Sequence, residues 1–276
     1  MTTLEFIEKT GEYFARNGVD SPRLTAELML AEGLQKKRLQ LYMEFDKEVP
    51  ASVLDVLRPL VKRRAQGEPL QYVQGFAEFA GERFAVTPDV LIPRPETELL
   101  LEAMVARLDP AGGPVADIGV GSGTLAVSLA RKLPSLSVHA VDISPAALAV
   151  AKKNGEGLAN LSFHEGDLLA PLSGDFQAVV ANLPYIPTAW LEDGTVGREV
   201  LQEPRMALDG GPDGLDVIRR LIAQASGRAP WIALEIAEGQ APAVEEALRA
   251  AGWGAVEAIK DLRGVARILI GRNSHG

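Results

Sequence analysis

The feature that most constrains the fold is a short apolar run that leads into a glycine-rich turn and then a helix. Val115–Val120 has the composition of a buried strand. The turn is Gly119–Gly123, which contains three glycines, and Thr124–Lys132 has a helical pattern. Glycines let the backbone turn tightly and approach a ligand closely, while the start of the next helix offers free N–H groups. This strand–turn–helix unit predicts a ligand site at the edge of a parallel sheet.

The chain after residue 114 continues to alternate between strand and helix patterns. The predicted helices include Pro145–Lys153 and Ala241–Ala250. The further predicted strands are Ser137–Val141, Ala178–Ala181, Trp231–Ile236 and a closing pair, Val256–Ile259 with Ala266–Ile270. Alternation of this kind predicts a mostly parallel sheet covered by helices on both faces. The stretch from Ile186 to Asp213 is rich in Gly, Pro and charge, and its length is typical of a functional loop.

The first third of the chain has a helical pattern instead. Apolar residues recur at helical spacing from Leu4 onward, Ser21-Pro22 is a candidate helix start, and a further helix is expected over Ala51–Ala65 despite Pro59. Aromatic and β-branched residues around Gly75 and Gly81 then predict a β-hairpin. We therefore predict a helical domain over residues 1–69, a hairpin linker over 70–88 and a sheet domain over 89–276.

Composition excludes several classes of protein. The net charge of −9 argues against nucleic-acid binding through a broad basic surface. With no cysteine and three scattered histidines, we expect no disulfide and no metal site. No apolar run is long enough to span a membrane and the N-terminus lacks a signal pattern, so we expect a cytoplasmic protein. Two basic clusters, Lys36–Arg38 and Lys62–Arg64, are candidates for partner docking.

Three acidic positions near the glycine turn indicate a nucleotide-like cofactor. Asp117 precedes the glycines, where its carboxylate could face the ammonium group of a methionine-like moiety. Asp142, followed by Ile143, ends the next strand at a suitable distance for ribose hydroxyls. A further strand of such a sheet is expected between Ser137–Val141 and Ala178–Ala181. Asp167 and Leu168 would follow it, where they could bracket the edge and face of an adenine ring.

The tetrapeptide Asn182-Leu183-Pro184-Tyr185 directly follows the strand Ala178–Ala181. A planar nitrogen is a poor nucleophile because its lone pair is delocalised. The side-chain oxygen of Asn182 and the carbonyl of Leu183 could accept hydrogen bonds from both N–H groups of such a nitrogen and hold it in line with a methyl group. Tyr185 would supply a flat face against the target. The tetrapeptide therefore predicts methyl transfer to an amide or amino nitrogen.

Together these motifs resemble the release factor glutamine methyltransferases of the PrmC/HemK type, over essentially the whole chain. The matching motifs are Leu91–Glu98, Asp117–Gly123, Asp142, Asp167, Asn182–Tyr185, Glu203-Pro204 and the turn Asp261–Gly264. The resemblance implies a class I S-adenosylmethionine-dependent methyltransferase: a Rossmann-like, seven-stranded, mostly parallel sheet with a small N-terminal helical domain and a hairpin linker. It also implies N5-methylation of the glutamine in the Gly-Gly-Gln loop of peptide chain release factors 1 and 2, with S-adenosylhomocysteine as the second product.

The resemblance also implies roles for individual residues. The tetrapeptide would bind the substrate amide and catalyse transfer, and Pro93–Glu98 would close over the methionine end of the cofactor. We further hypothesise that the helical domain, with Lys36–Arg38 or Lys62–Arg64, docks the body of the release factor, and we expect the enzyme to act as a monomer. The residues implied in cofactor binding are Asp117, Gly119, Val120, Gly121, Ser122, Gly123, Asp142, Ile143, Asp167, Leu168, Asn182, Arg94 and Thr97.

In one position the sequence departs from the family pattern, which has two prolines in the tetrapeptide. Leu183 stands where the first proline is usual. The carbonyl at this position is kept, but the fixed φ of proline and its restraint on Asn182 are lost. From the sequence we expect a looser but working site.

Three other functions account for part of these motifs. An adenine-N6 or guanine-N2 methyltransferase of nucleic acid would use the same tetrapeptide, but it fits poorly with the acidic composition. An NAD-dependent oxidoreductase would use the glycine turn and Asp142 but leaves Asn182–Tyr185 unexplained. A binding module without catalytic activity would not need both Asn182 and Asp142.

Overall fold

The computed structural model describes residues 1–273, which form two compact units. The first unit consists of Met1–Gly75 and Arg198–Gln202, and the second unit consists of the rest of the described chain. The first unit is thus completed by five residues from far along the chain. No helix within residues 1–273 is long and apolar enough to cross a membrane.

The first unit is helical. Its helices are α1 (Thr3–Arg16), α2 (Pro22–Gly33), α3 (Arg38–Tyr42), α4 (Ala51–Ala65) and α5 (Leu70–Gln74). Thr2 caps α1 through a reciprocal pair of hydrogen bonds with Glu5. Ser21 does precede α2, but its side chain makes no capping hydrogen bond because its backbone is left-handed, with φ of 48°. Helix α4 continues through Pro59.

The two basic clusters differ in how far they are available to a partner. Arg64 is only 3% exposed, and it pairs with Glu199 and donates a hydrogen bond to the Glu68 carbonyl at 3.0 Å. Arg63 also pairs with Glu68. Lys36 pairs with Glu44, whereas Lys37 and Lys62 are exposed. Lys62 and Arg63 of the second cluster are therefore at the surface, whereas Arg64 is buried and cannot contribute to a docking surface.

The structure divides the stretch 70–88, in which we expected a linker. Residues 70–74 are helical and belong to the first unit, while β1 (Phe76–Phe79) and β2 (Glu82–Ala85) form an antiparallel hairpin in the second unit. The hairpin is fixed there because the Asn154 side chain bonds both the N–H and the carbonyl of Ala85 at 2.8 and 2.9 Å.

The second unit is built on one seven-stranded sheet, as expected. The strands are β3 (Val115–Ile118), β4 (Val138–Asp142), β5 (Leu161–Glu165), β6 (Ala178–Ala181), β7 (Trp231–Glu235), β8 (Ala255–Lys260) and β9 (Ala266–Arg272). Their order is β5-β4-β3-β6-β7-β9-β8. β9 pairs antiparallel with both β7 and β8, and the other neighbouring strands pair parallel. The helices are α6 (Pro95–Val105), α7 (Thr124–Lys132), α8 (Pro145–Asn154), α9 (Asp216–Ala225) and α10 (Ala241–Ala250).

Helices cover both faces of this sheet. Alternate residues of β3 enter different cores: Val115 packs with side chains of α6, α7 and α8, and Ala116 packs with those of α9 and α10. Because both faces are covered, β3 and β6 are buried at every position. This explains why their sequences are uninterrupted apolar runs apart from Asp117.

The stretch 186–213 is more ordered than its composition suggests. It contains three short 3₁₀ helices, Thr188–Leu191, Val200–Gln202 and Arg205–Ala207. Leu208 and Glu203 are buried within the second unit, at 4% and 5% exposure. The segment therefore contributes both apolar and charged groups to the interior.

Candidate functional site

Four polar side chains lie at the carboxyl edge of the parallel strands. Asp117 is near the end of β3, Asp142 ends β4, Asn182 follows β6 and Glu235 ends β7. Adjacent strands with these registers bring their ends together at the point where the strand order reverses. A cavity of about 530 Å³ opens there, and Asp117, Asp142 and Asn182 line it.

The glycine turn forms one wall of this cavity. The N–H groups of Gly119 and Val120 both donate to the carbonyl of Val141 at 2.9 Å, which fixes the turn on β4. Gly119 has a φ of 73°, and a Cβ placed on it would lie 2.9 Å from Cδ2 of Leu183. Only glycine satisfies both requirements at this position. Ser122, within the turn, is buried and also lines the cavity.

Asp142 organises the same turn. Its Oδ2 accepts from the N–H of Gly121 and its Oδ1 from the N–H of Ser144, both at 2.9 Å. Burial raises the pKa of this carboxyl, and these backbone hydrogen bonds oppose the rise. Each carboxylate oxygen can accept more than one hydrogen bond, so capacity remains for ribose hydroxyls.

Asp117 is a buried carboxyl with unused hydrogen-bonding capacity. It is 2% exposed, and its Oδ2 has no hydrogen-bond partner. Burial raises its pKa to about 7, a smaller contribution of the same sign comes from Asp142, and the N–H of Ala126 opposes them. A cationic group in the cavity would stabilise the ionised form of Asp117, which burial disfavours.

The residues predicted at the adenine end, Asp167 and Leu168, line the cavity, and so does Ile143, which was predicted to bind the cofactor. Leu168 is buried and has a positive φ of 52°, while Ile143 is 54% exposed. The Asp167 carboxylate pairs with Arg220, which also lines the cavity. Recognition of an adenine edge at Asp167 would therefore involve a carboxylate that is already ion-paired.

The tetrapeptide contains a buried side-chain oxygen without a hydrogen-bond partner. Asn182 donates from Nδ2 to Oγ1 of Thr97 at 3.0 Å, while its Oδ1 is buried without a hydrogen-bond partner. The side chain of Leu183 is 4% exposed and packs against the glycine turn. Tyr185 donates from its hydroxyl to Oε1 of Glu235 at 3.3 Å.

The chain after the tetrapeptide is held by the loop that precedes α9. The N–H of Ile186 donates to Leu208, and the N–H of Gly210 donates to Ile186, both at 2.9 Å. A Cβ on Gly214, whose φ is 79°, would lie 2.2 Å from the carbonyl oxygen of Tyr185. Gln240 donates to this same carbonyl at 2.8 Å. The sequence pattern did not predict these contacts.

The segment Pro93–Glu98 contributes Pro93 and Thr97 to the cavity wall, but the Arg94 guanidinium is turned toward a protein partner. Arg94 donates to Oε1 of Glu203 at 2.6 Å, and the N–H of Ile92 donates to Oε2 at 2.9 Å. Burial raises the pKa of Glu203, and Arg94 opposes the rise. Glu203 thus fixes the segment that leads into α6, and a role for Arg94 in cofactor binding remains a prediction.

We expect Glu203→Gln to destabilise the second unit by about 2 kcal/mol, because a neutral amide cannot accept from both Ile92 and Arg94. This corresponds to a fall in Tm of roughly 4–8 °C, measured by scanning calorimetry. Glu192→Gln is the matched control, since Glu192 forms an exposed pair with Arg205 in the same loop. Equal melting temperatures for the two variants would contradict a stabilising role for Glu203.

Sequence reasoning did not identify Glu235 as part of the site. It is 2% exposed and accepts from the Thr97 hydroxyl at 2.6 Å. Burial raises its pKa to about 7, while the hydrogen bonds from Thr97 and Tyr185 oppose the rise. The signal that could have revealed it is its position, since an acidic residue ends an otherwise apolar strand at the ligand-binding edge of the sheet.

The cavity suits S-adenosylmethionine on the evidence of its own atoms. Asp117 offers an unpaired carboxylate oxygen for an ammonium group, and Asp142 retains acceptor capacity for a ribose. A Cβ on Gly121, which lines the cavity, would meet no protein atom within 4 Å, so the backbone is open to a ligand there. The volume lies within the ordinary range for small-molecule sites. Within residues 1–273 no group of three or more metal-ligating side chains is arranged to hold a metal ion.

Comparison with known proteins agrees with this geometry. Residues 5–75 match the PrmC N-terminal domain and residues 95–226 match the methyltransferase small domain. The release factor glutamine methyltransferase of Moorella thermoacetica is 44% identical over 91% of each chain. That of Geobacter sulfurreducens is 42% identical over 98% of this chain and 96% of its own.

Among solved structures, a methyltransferase from Pyrococcus furiosus aligns with a TM-score of 0.53 at 16% identity, covering 70% of this chain and 90% of its own. This likeness supports the fold alone, and the expected class I methyltransferase fold is confirmed. Two domain matches and full-length relatives at more than 40% identity agree on one assignment: the chain belongs to the release factor glutamine methyltransferase family.

Proposed function

We propose that this protein transfers a methyl group from S-adenosylmethionine to the side-chain amide nitrogen of a release factor glutamine, the one in the Gly-Gly-Gln loop. The observation that carries the proposal is the buried, unpartnered Oδ1 of Asn182 in the wall of the cavity. The names of the full-length relatives support the same substrate. Methylation of this residue would place the enzyme in translation termination.

In this proposal the residues of the site bind the methyl donor and hold the glutamine amide in line with it. Asp117, the glycine turn and Asp142 would hold the methionine and ribose parts of the cofactor, which supplies the electrophilic methyl group. Asn182 Oδ1 and the Leu183 carbonyl would each accept one N–H of the glutamine amide. These hydrogen bonds favour the positive charge that builds on nitrogen and hold it in line for transfer. The proton can leave once the nitrogen is methylated, so no strong base is needed.

We also propose that the helical unit docks the body of the release factor and that the enzyme acts as a cytoplasmic monomer. Lys37 and Lys62 are exposed and could face an acidic partner, whereas Arg64 is buried. Recognition of the factor would then be separate from recognition of its glutamine.

The experiment that tests the function is mass spectrometry of nuclease-treated release factor incubated with the protein and S-adenosylmethionine. A gain of one methyl group on the loop glutamine supports the proposal. A loop peptide should be methylated less efficiently than the whole factor if the helical unit contributes docking. No gain on the factor, together with methylation of adenine or guanine in nucleic acid, would overturn the assignment of substrate.

The structure changes what we expect from Leu183→Pro. The sequence alone suggested that proline would tighten the site, but Leu183 is already restrained because it is buried against the glycine turn. Proline would lose part of this packing, at a cost of about 1 kcal/mol. We therefore expect steady-state turnover to stay the same or fall, with a lower Tm. An increase in turnover would show that the missing φ restraint does limit this enzyme.

A further inference from the structure

Two side chains outside the tetrapeptide form a hydrogen-bonded chain with Asn182. Thr97 Oγ1 donates to Oε2 of Glu235 at 2.6 Å and accepts from Nδ2 of Asn182 at 3.0 Å. Thr97 is 4% exposed and Glu235 is 2% exposed, so water does not compete for these bonds. The three residues come from α6, the end of β6 and the end of β7.

The chemistry of this chain determines which way the Asn182 amide points. When Glu235 is ionised, above its pKa of about 7, its carboxylate only accepts hydrogen bonds, so Thr97 must direct its single proton toward it. The Thr97 oxygen can then only accept, and the group facing it must be a donor. Of the two ends of the Asn182 amide only the NH₂ group can donate. The oxygen is thereby turned away from Thr97, and it is this oxygen that is buried without a partner.

We propose that Glu235 and Thr97 are positioning residues that set the orientation of the Asn182 amide, so that its oxygen faces the substrate. The inference rests on the proposed function, because it concerns the acceptor for the glutamine amide. With the amide reversed, an NH₂ group would face the NH₂ of the substrate and two oxygens would face each other at Thr97. Both contacts are unfavourable, and the reversed form would not assist methyl transfer.

The first test compares Thr97→Val with Thr97→Ser. Valine has the shape of threonine but neither donates nor accepts, whereas serine keeps the hydroxyl. At saturating S-adenosylmethionine we expect Thr97→Val to lower kcat about ten- to a hundredfold and Thr97→Ser to restore most of it. Affinity for S-adenosylmethionine, measured by calorimetry, separates this role from the cofactor-binding role that the resemblance implies for Thr97: for a residue that only positions Asn182 it should change less than threefold in both variants. Wild-type kcat in Thr97→Val would overturn the inference, and so would a loss confined to cofactor affinity.

The second test follows the amide itself and needs no substrate. The side-chain NH₂ signal of Asn182, identified by its absence in Asn182→Ala, is recorded in ¹H–¹⁵N spectra across pH 6–8. Burial raises the pKa of Glu235 to about 7, and the charged or titratable groups near it are Arg94, Glu96 and Tyr185. As pH rises through this value, Glu235 becomes an obligate acceptor. The Asn182 signal should therefore shift in the wild type and stay constant in Glu235→Gln.

The two tests distinguish failure of the inference from failure of the proposed function. If the wild type methylates the glutamine but the Asn182 signal does not respond to pH and Thr97→Val is fully active, only the positioning role is wrong. If the signal responds and the wild type does not methylate the factor, the hydrogen-bonded chain is supported and the substrate is wrong. Asp117 also has a pKa of about 7. Its titration is expected in cofactor affinity rather than in kcat at saturation.

Discussion

Asn182→Ala is expected to lower the turnover of glutamine methylation by about 10²–10³-fold, the range seen when one preorganised polar contact to a transition state is removed. The variant loses the buried oxygen that would accept from the substrate amide. It also leaves the Thr97 hydroxyl without its donor from Asn182. Because the glycine turn and Asp142 are untouched, affinity for S-adenosylmethionine should change less than tenfold. Single-turnover rates and calorimetry on the same preparation measure the two quantities.

The matched control for this variant is Asn17→Ala. Asn17 is an exposed asparagine in the helical unit that donates to the carbonyl of Tyr13. Its replacement should leave turnover unchanged. If Asn182→Ala retained more than about a tenth of wild-type turnover, Asn182 would not be the principal acceptor and the proposed mechanism would be wrong.

Asp142→Ala is expected to weaken binding of S-adenosylmethionine about a hundredfold, or about 2.8 kcal/mol. The carboxylate holds the N–H groups of Gly121 and Ser144, so its removal releases the glycine turn as well as the ribose contact. Hydrogen bonds to a charged group contribute about 1.5–3 kcal/mol each, so the loss of two contacts easily accounts for this figure. Equilibrium titration calorimetry with S-adenosylmethionine or S-adenosylhomocysteine measures it directly.

Glu165→Ala is the matched control for Asp142→Ala. Glu165 ends the neighbouring strand β5 and pairs in register with Asp142, but it is exposed and does not line the cavity. Its replacement should change affinity for the cofactor less than threefold. An equal loss in the two variants would indicate a general effect of negative charge at this edge of the sheet rather than a specific contact.

Asp117, Asp142 and the tetrapeptide were predictable because they lie at or directly after the carboxyl ends of strands that local patterns reveal. Uninterrupted apolar runs indicate strands covered on both faces, and the carboxyl ends of parallel strands meet at one edge. This reasoning located Asp117, Asp142 and Asn182 without any structure. It did not extend to Asp167, whose pairing with Arg220 depends on a contact between residues 53 positions apart.

In the first unit, too, local patterns predicted the helices but not the contacts between distant residues. The helix over Ala51–Ala65 was predicted with its bounds unchanged, because periodicity is a local property. The basic cluster Lys62–Arg64 was expected at the surface, yet Arg64 is buried. Its partner, Glu199, lies 135 residues farther along the chain. Composition indicates that a charge exists but not whether another segment covers it.

The sequence by itself thus determined the class of fold, the family, the glycine turn and the polar residues at the ends of successive strands. Tertiary structure alone decided that Glu203 pairs with Arg94, 109 residues away in the chain, and that Glu235 accepts a hydrogen bond from Thr97, 138 residues away. The physical reason is that strand and helix patterns arise from neighbouring residues. A buried hydrogen bond between distant segments exists only once the core has packed and excluded the water that would otherwise satisfy both groups.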